Sequence, residues 1–215
     1  MKRWSLLACC VLVLFAAAAP AFAQDGGARF GFFAGLDTKL PGFISGGGED
    51  LGVAQYRVGA MIEPTPEILI KPDVIFVSEE ENEDDKINDY EYLRYKYTTY
   101  GAGISVYYKV LPADRVSIYV GPRIDFLQNS YEDEYTTGEK ENDDKTTTFA
   151  FTACIAGQFE ITDHFRFFAE TGIGYRTVTR VDNRYNTSGV IFTDEEKKSS
   201  KFYTYGGQIG VAFYF

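Results

Sequence analysis

The chain is poor in the residues that most often carry chemistry or covalent reinforcement. Its 215 residues include one histidine, one tryptophan, two methionines and three cysteines. Cys9 and Cys10 fall in an N-terminal apolar run, so Cys154 stands alone and a disulfide framework is excluded. Cys154 lies within an alternating segment, where a packed structural thiol is its expected role. From residue 28 onward there is almost no amphipathic helical period. No phosphate loop, CxxC pair or basic nucleic-acid patch occurs. The acidic stretch EEENEDDKIND at 79–89 offers hard oxygen ligands but lacks the D-x-[DN]-x-[DN]-G spacing of a calcium loop. The sequence therefore assigns no metal, no cofactor and no catalytic residue.

Phenylalanine, tyrosine and glycine are abundant: 18 Phe, 16 Tyr and 21 Gly. Aromatics suit strands and interfaces where a ring has one wet side. Glycines suit turns and crowded barrel interiors.

The N-terminus reads separately. Lys2 and Arg3 precede the run LLACCVLVLFAAAA, and Ala21-Phe22-Ala23 supplies the small-x-small pattern of a cleavage site before Gln24. Residues 1–23 are thus expected to be a signal peptide cut between Ala23 and Gln24, with 24–215 forming the mature domain. Pro20 and the small-residue end argue against a retained anchor. Acylation at Cys9 or Cys10 would leave more of the hydrophobic run behind it rather than a polar tether. Removing Lys2 and Arg3 leaves 19 basic against 31 acidic residues, a net charge of 19 − 31 = −12, which repels nucleic acid.

The mature sequence is built from two-residue alternations, the mark of strands. They fall at 28–39, 53–63, 66–78, 100–110, 116–126, 148–161, 165–181 and 201–215, predicting eight strands. In the last, the odd positions from Lys201 through Tyr203, Tyr205, Gly207, Ile209, Val211 and Phe213 to Phe215 are read as one bulky face. Phe202 then belongs to the opposite one.

Connections alternate as well. Pro64-Thr65-Pro66, 111–114 and Thr162-Asp163-His164 are tight turns, whereas 41–50, 79–89, 131–145 and 182–199 are long, polar and mostly acidic. Short turns at one end and long loops at the other are the layout of an up-and-down transmembrane barrel with its turns in the periplasm. The fold class expected is therefore all-β: an eight-stranded antiparallel up-and-down transmembrane β-barrel with short periplasmic turns and long extracellular loops.

The face opposite the apolar one carries seven acidic and seven basic residues among glycines: Asp37, Glu63, Glu67, Asp73, Asp125, Glu160 and Glu170 against Arg29, Arg57, Lys71, Lys109, Arg123, Arg166 and Arg176. In a water-soluble barrel these would be the solvated outside, with Phe and Tyr filling a narrow interior. Gly101, Gly103, Gly121, Gly172, Gly174, Gly206 and Gly210 fit better inward, leaving room for long side chains. Charges persist in a lumen only when paired. A lumen network of Arg57, Arg123, Asp125, Glu160, Arg166, Glu170 and Arg176 is expected.

The chain resembles the small outer-membrane β-barrel proteins, the group that includes OmpX and the membrane domain of OmpA. The likeness rests on the leader, the eight strands and the ending QIGVAFYF. There Gln208, Gly210, Phe213 and Phe215 match the family's C-terminal pattern of polar, glycine, apolar and aromatic positions. The resemblance implies an assembly signal read by the barrel-assembly machinery, residence in the bacterial outer membrane, and contact with its lipid and lipopolysaccharide. It also implies that enzymes built on such barrels depend on a histidine near the extracellular rim. His164 lies in a predicted periplasmic turn, so the chain is not expected to be an enzyme.

The functional expectation is a structural or surface-interaction role, adhesion or ligand binding, through the acidic extracellular loops, with an unknown extracellular ligand and a monomeric barrel. The alternatives are a narrow porin-like channel for ions or small solutes and a secreted lipocalin-like carrier.

Overall fold

The computed structural model describes residues 28–37, 56–84, 92–135, 140–185 and 191–215. The expected cleavage site at Ala23 and Gln24, and the leader itself, lie outside these residues. Eight strands are present: β1 (Arg29–Asp37), β2 (Tyr56–Thr65), β3 (Ile68–Asp84), β4 (Tyr92–Pro112), β5 (Val116–Tyr135), β6 (Lys140–Glu160), β7 (Phe165–Tyr185) and β8 (Ile191–Tyr214). Each pairs antiparallel with its sequence neighbour, and β1 pairs with β8 to close the barrel. Closure satisfies the backbone groups that a bilayer cannot, and it leaves no edge in the membrane.

Tight connections lie at one end. Ala113 and Val116 exchange backbone hydrogen bonds at 2.9 and 3.2 Å, and the Phe165 amide donates to the Thr162 carbonyl at 3.2 Å and to its hydroxyl at 3.0 Å. The turn between β2 and β3 sits at Pro66-Glu67 rather than at Pro64, because β2 runs on to Thr65 past an irregularity in its pairing. Glu67 is accordingly exposed in a turn rather than held in the lumen.

The outer face carries two rings of exposed aromatics. Phe76, Tyr100, Phe126, Phe149, Tyr175 and Phe202 mark the end away from the turns; Tyr108, Phe159, Phe167, Phe213 and Phe215 mark the turn end. Exposed Val, Ile and Leu residues fill the band between them. On β5 the band runs from Val116 to Phe126, matching the roughly 9–11 residues that a tilted strand needs to cross a bilayer. Aromatic girdles flanking an apolar band belong to a lipid-facing wall. In water this face would be a large unpaired apolar surface, which removes the reading as a soluble carrier.

Two features depart from the expectation. The stretches 79–84, 131–135, 140–145, 182–185 and 191–199, read as loop from their acidity, are paired strand. Pairing runs unbroken from Ile68↔Tyr108 to Asp84↔Tyr92, and from Val116↔Phe159 to Asp133↔Asn142. Once a ladder is nucleated in the membrane, polar residues beyond it extend the same hairpin at little cost, and composition does not show where pairing stops. Within the described residues β1 and β2 span 9 and 10 residues and β3 to β8 span 17 to 24.

The second departure is in β8. Glu170 pairs with Gln208 but Gly172 pairs with Tyr205, so β8 carries one extra residue there. Gly207 has φ 108°, the one positive φ among the described residues, as a bulge of this kind requires. The alternation consequently changes phase. Tyr203 and Tyr205 face the lumen and Phe202 faces outward, opposite to the continuous reading, whereas Ile209, Val211, Phe213 and Phe215 face outward as expected. At the bulge the buried glycine is Gly207, with Gly206 less enclosed.

Candidate functional site

The lumen is filled by side chains in two polar tiers, and Arg123 is the centre of the upper one. Its guanidinium holds two carboxylates at once: Nε and Nη2 donate to Asp125 at 2.8 and 2.7 Å, and Nη1 and Nη2 donate to Asp73 at 2.8 and 2.9 Å. Nη1 also donates to the Ser105 hydroxyl at 3.0 Å. Arg57 bridges the same acids from β2, reaching Asp73 at 2.8 Å, Asp125 at 3.0 Å and Asp37 at 2.7 Å. Forked contacts of this sort are the strong form of charge-assisted hydrogen bond.

Lys71 extends the cluster downward. Its ammonium pairs with Glu170 at 2.6 Å, donates to Gln208, and lies between the Phe33 and Phe168 rings at 4.9 and 5.0 Å. Glu170 is held further by the Tyr107 and Tyr205 hydroxyls at 2.8 and 3.2 Å and by Arg123 at 3.4 Å. Arg57, Lys71 and Arg123 against Asp37, Asp73, Asp125 and Glu170 give 3 − 4 = −1 for the cluster. The most accessible of these carboxylates is Asp37, at 19 %.

A glycine makes this possible. A Cβ on Gly103 would lie 2.4 Å from Arg123 Nη2 and 2.6 Å from Asp125 Oδ1, so a side chain there would occupy the guanidinium's place.

The lower tier is separate. Arg166 donates to Glu63 at 2.6 Å and to Gln158 at 3.0 Å, with its guanidinium 4.4 Å over the Tyr214 ring. Gln158 donates in turn to the Tyr214 hydroxyl at 3.3 Å. Glu160, about a third exposed, stands 3.6 Å from Arg166 at the margin. Met61, Leu69, Cys154, Ala156 and Ala212 pack around these groups as the apolar part of the same core.

Of the residues expected in the lumen network, Arg57, Arg123, Asp125 and Glu170 meet in the upper tier, and Arg166 and Glu160 in the lower. Arg176 joins neither; it lies higher, with its guanidinium 5.4 Å over the Tyr203 ring. Asp37, Glu63, Lys71 and Asp73 share the charged face but were not expected in the network. Tyr107, Gln158 and Tyr205 were not foreseen, since alternation shows which way a neutral polar residue points but not whom it meets.

The C-terminal pattern divides between the two faces. Gln208 is buried in the lumen, and a Cβ on Gly210 would lie 2.7 Å from the Phe168 ring. Phe213 and Phe215 face outward, where Phe215 packs against Phe32 and Phe213 at centroid distances of 5.8 and 5.3 Å. His164 occupies the adjoining turn, its Nδ1 3.0 Å from the Tyr214 carbonyl oxygen and its ring stacked on Phe213 at 5.9 Å.

A closed eight-stranded up-and-down barrel with a girdled apolar exterior and an ion-paired interior defines an integral outer-membrane barrel protein. Residues 7–189 match the family model described as outer membrane protein beta-barrel domain, and the chain belongs to that family. It is a protein of the bacterial outer membrane. Among solved structures it is similar to a major outer membrane protein of Thermus thermophilus, at 15 % identity over 88 % of this chain and 100 % of the other, TM-score 0.48. It is similar as well to Ail, the attachment invasion locus protein of Yersinia pestis, at 11 % identity over 87 % and 97 %, TM-score 0.46. A third is Neisserial surface protein A, at 14 % over 88 % and 98 %, TM-score 0.42. A search of curated protein sequences finds no significant match.

Proposed function

We propose that this protein is a closed-lumen, non-enzymatic barrel that acts at the cell surface through its extracellular hairpins. The carrying observation is that the middle of the barrel is occupied: Arg123, Lys71 and Tyr107 are each at most 1 % accessible. A water-filled path through that section would have to strip Arg123 of two carboxylates, leaving buried charges uncompensated at several kcal/mol each. With transport set aside, the sequence is best used where it is unconstrained by lipid, in the paired extensions of β3 to β8. These present charged and tyrosine positions on a raised sheet, a surface suited to adhesion or ligand contact.

Two measurements test this. Refolded protein in planar bilayers is expected to show no steady conductance, and a large persistent one would overturn the closed lumen. Cells carrying a variant shortened in the β5–β6 and β7–β8 hairpins should keep normal barrel levels and lose attachment to the surfaces or ligands that the parent strain binds. Undiminished attachment would remove the surface role.

A further inference from the structure

Above the filled section, the inner wall of β7 and β8 brings four cations together. Arg176 pairs directly with Lys201 and Arg180 with Lys197, with Val178 and Ser199 between. On β7 these positions continue the inward series from Gly172 and Gly174; on β8 they continue the inward series from Tyr203, which the Gly207 bulge sets. Like charges directly opposite each other destabilise a pair of strands. Here two such pairs occur in succession, in a chain whose mature net charge is strongly negative.

Arg180 and Lys197 have partners within the protein, and it is the charge of Arg176 and Lys201 that is only partly answered. Arg180 pairs with Asp144 at 2.9 Å. Arg176 lies over the Tyr203 ring, and its Nε is buried without a hydrogen-bond partner. Lys201 has no carboxylate partner among the described residues. An orphaned buried donor costs free energy until something accepts from it. A group with several acceptor oxygens and negative charge would answer Arg176 and Lys201 together.

We infer that the inner wall at Arg176 and Lys201, with Arg180 and Lys197 above, is a binding site for a phosphate- or sulfate-type oxyanion. The overall acidity of the protein limits the ligand to something small enough to reach these cations without lining up along the acidic hairpins. Above the closed lumen Lys197 is exposed and Arg176, Arg180 and Lys201 are partly exposed, so a free oxyanion in water can reach them. The inference does not depend on what the hairpins contact.

The test is an NMR titration of arginine Nε–H resonances in the full refolded protein, in non-ionic detergent, with inorganic phosphate as the probe. A saturating shift of the Arg176 resonance is expected at millimolar phosphate. Arg176→Gln and Lys201→Gln should each weaken it by about tenfold, the loss expected for one charged hydrogen bond. In the Arg176→Gln protein the readout is the Arg180 resonance, and if that variant fails to insert, Lys201→Gln carries the comparison. Lys198 faces the other way and pairs with Glu196 at 2.7 Å, which holds its ammonium above the usual lysine range, so Lys198→Gln should leave binding unchanged. No saturable shift, a shift equal in all variants, or a response only to micelles doped with a phosphomonoester lipid would each overturn the assignment.

Discussion

Arg123 and Asp73, fifty residues apart in sequence, meet in a two-pronged contact with both side chains at 0 % accessibility. Their strands, β5 and β3, are not neighbours; β4 passes between them with Gly103 and Ser105 at the crossing. The pair therefore ties the wall across itself. Arg123→Met would leave Asp73 and Asp125 buried without their main partner, and about 3–5 kcal/mol of stability should be lost. The urea midpoint in detergent should fall accordingly. Adding Asp73→Asn and Asp125→Asn should restore part of it, and a single variant with an unchanged midpoint would show that the network contributes nothing.

The bulge at Gly207 is open to an equally direct test. A side chain at φ 108° is strained, so Gly207→Val should cost on the order of 1–3 kcal/mol. Deleting Gly206 removes the extra residue, and plain alternation back from Gln208 then still places Tyr205 and Tyr203 inward and Phe202 outward, because the bulge absorbs the surplus residue. A tryptophan reporter placed by Phe202→Trp is expected to be quenched by brominated lipid in the intact strand and equally in the deletion background. Loss of quenching on deletion would mean that the surplus residue is not absorbed at Gly206-Gly207.

This bulge also marks the limit of what alternation can convey. Strand number, order and the inward placement of Arg57, Arg123, Asp125, Arg166 and Glu170 were legible, because lipid on one side and a crowded lumen on the other impose a period of two. The phase change at Gly206-Gly207 was not, since two glycines fit either face. The hairpin extensions at 79–84 and 191–199 were hidden for a related reason: outside the bilayer nothing forces one face to be apolar, so paired strand and loop look alike in composition.

The ending QIGVAFYF serves packing as well as any assembly role, and the two can be separated. Phe215 packs on Phe32 and Phe213 at the turn-end girdle, where aromatics settle. Phe215→Lys is expected to lower barrel levels in the outer membrane strongly, while purified protein refolds into detergent with nearly the parent yield. A matching refolding defect would assign the residue to packing alone, and normal membrane levels would remove the assembly role.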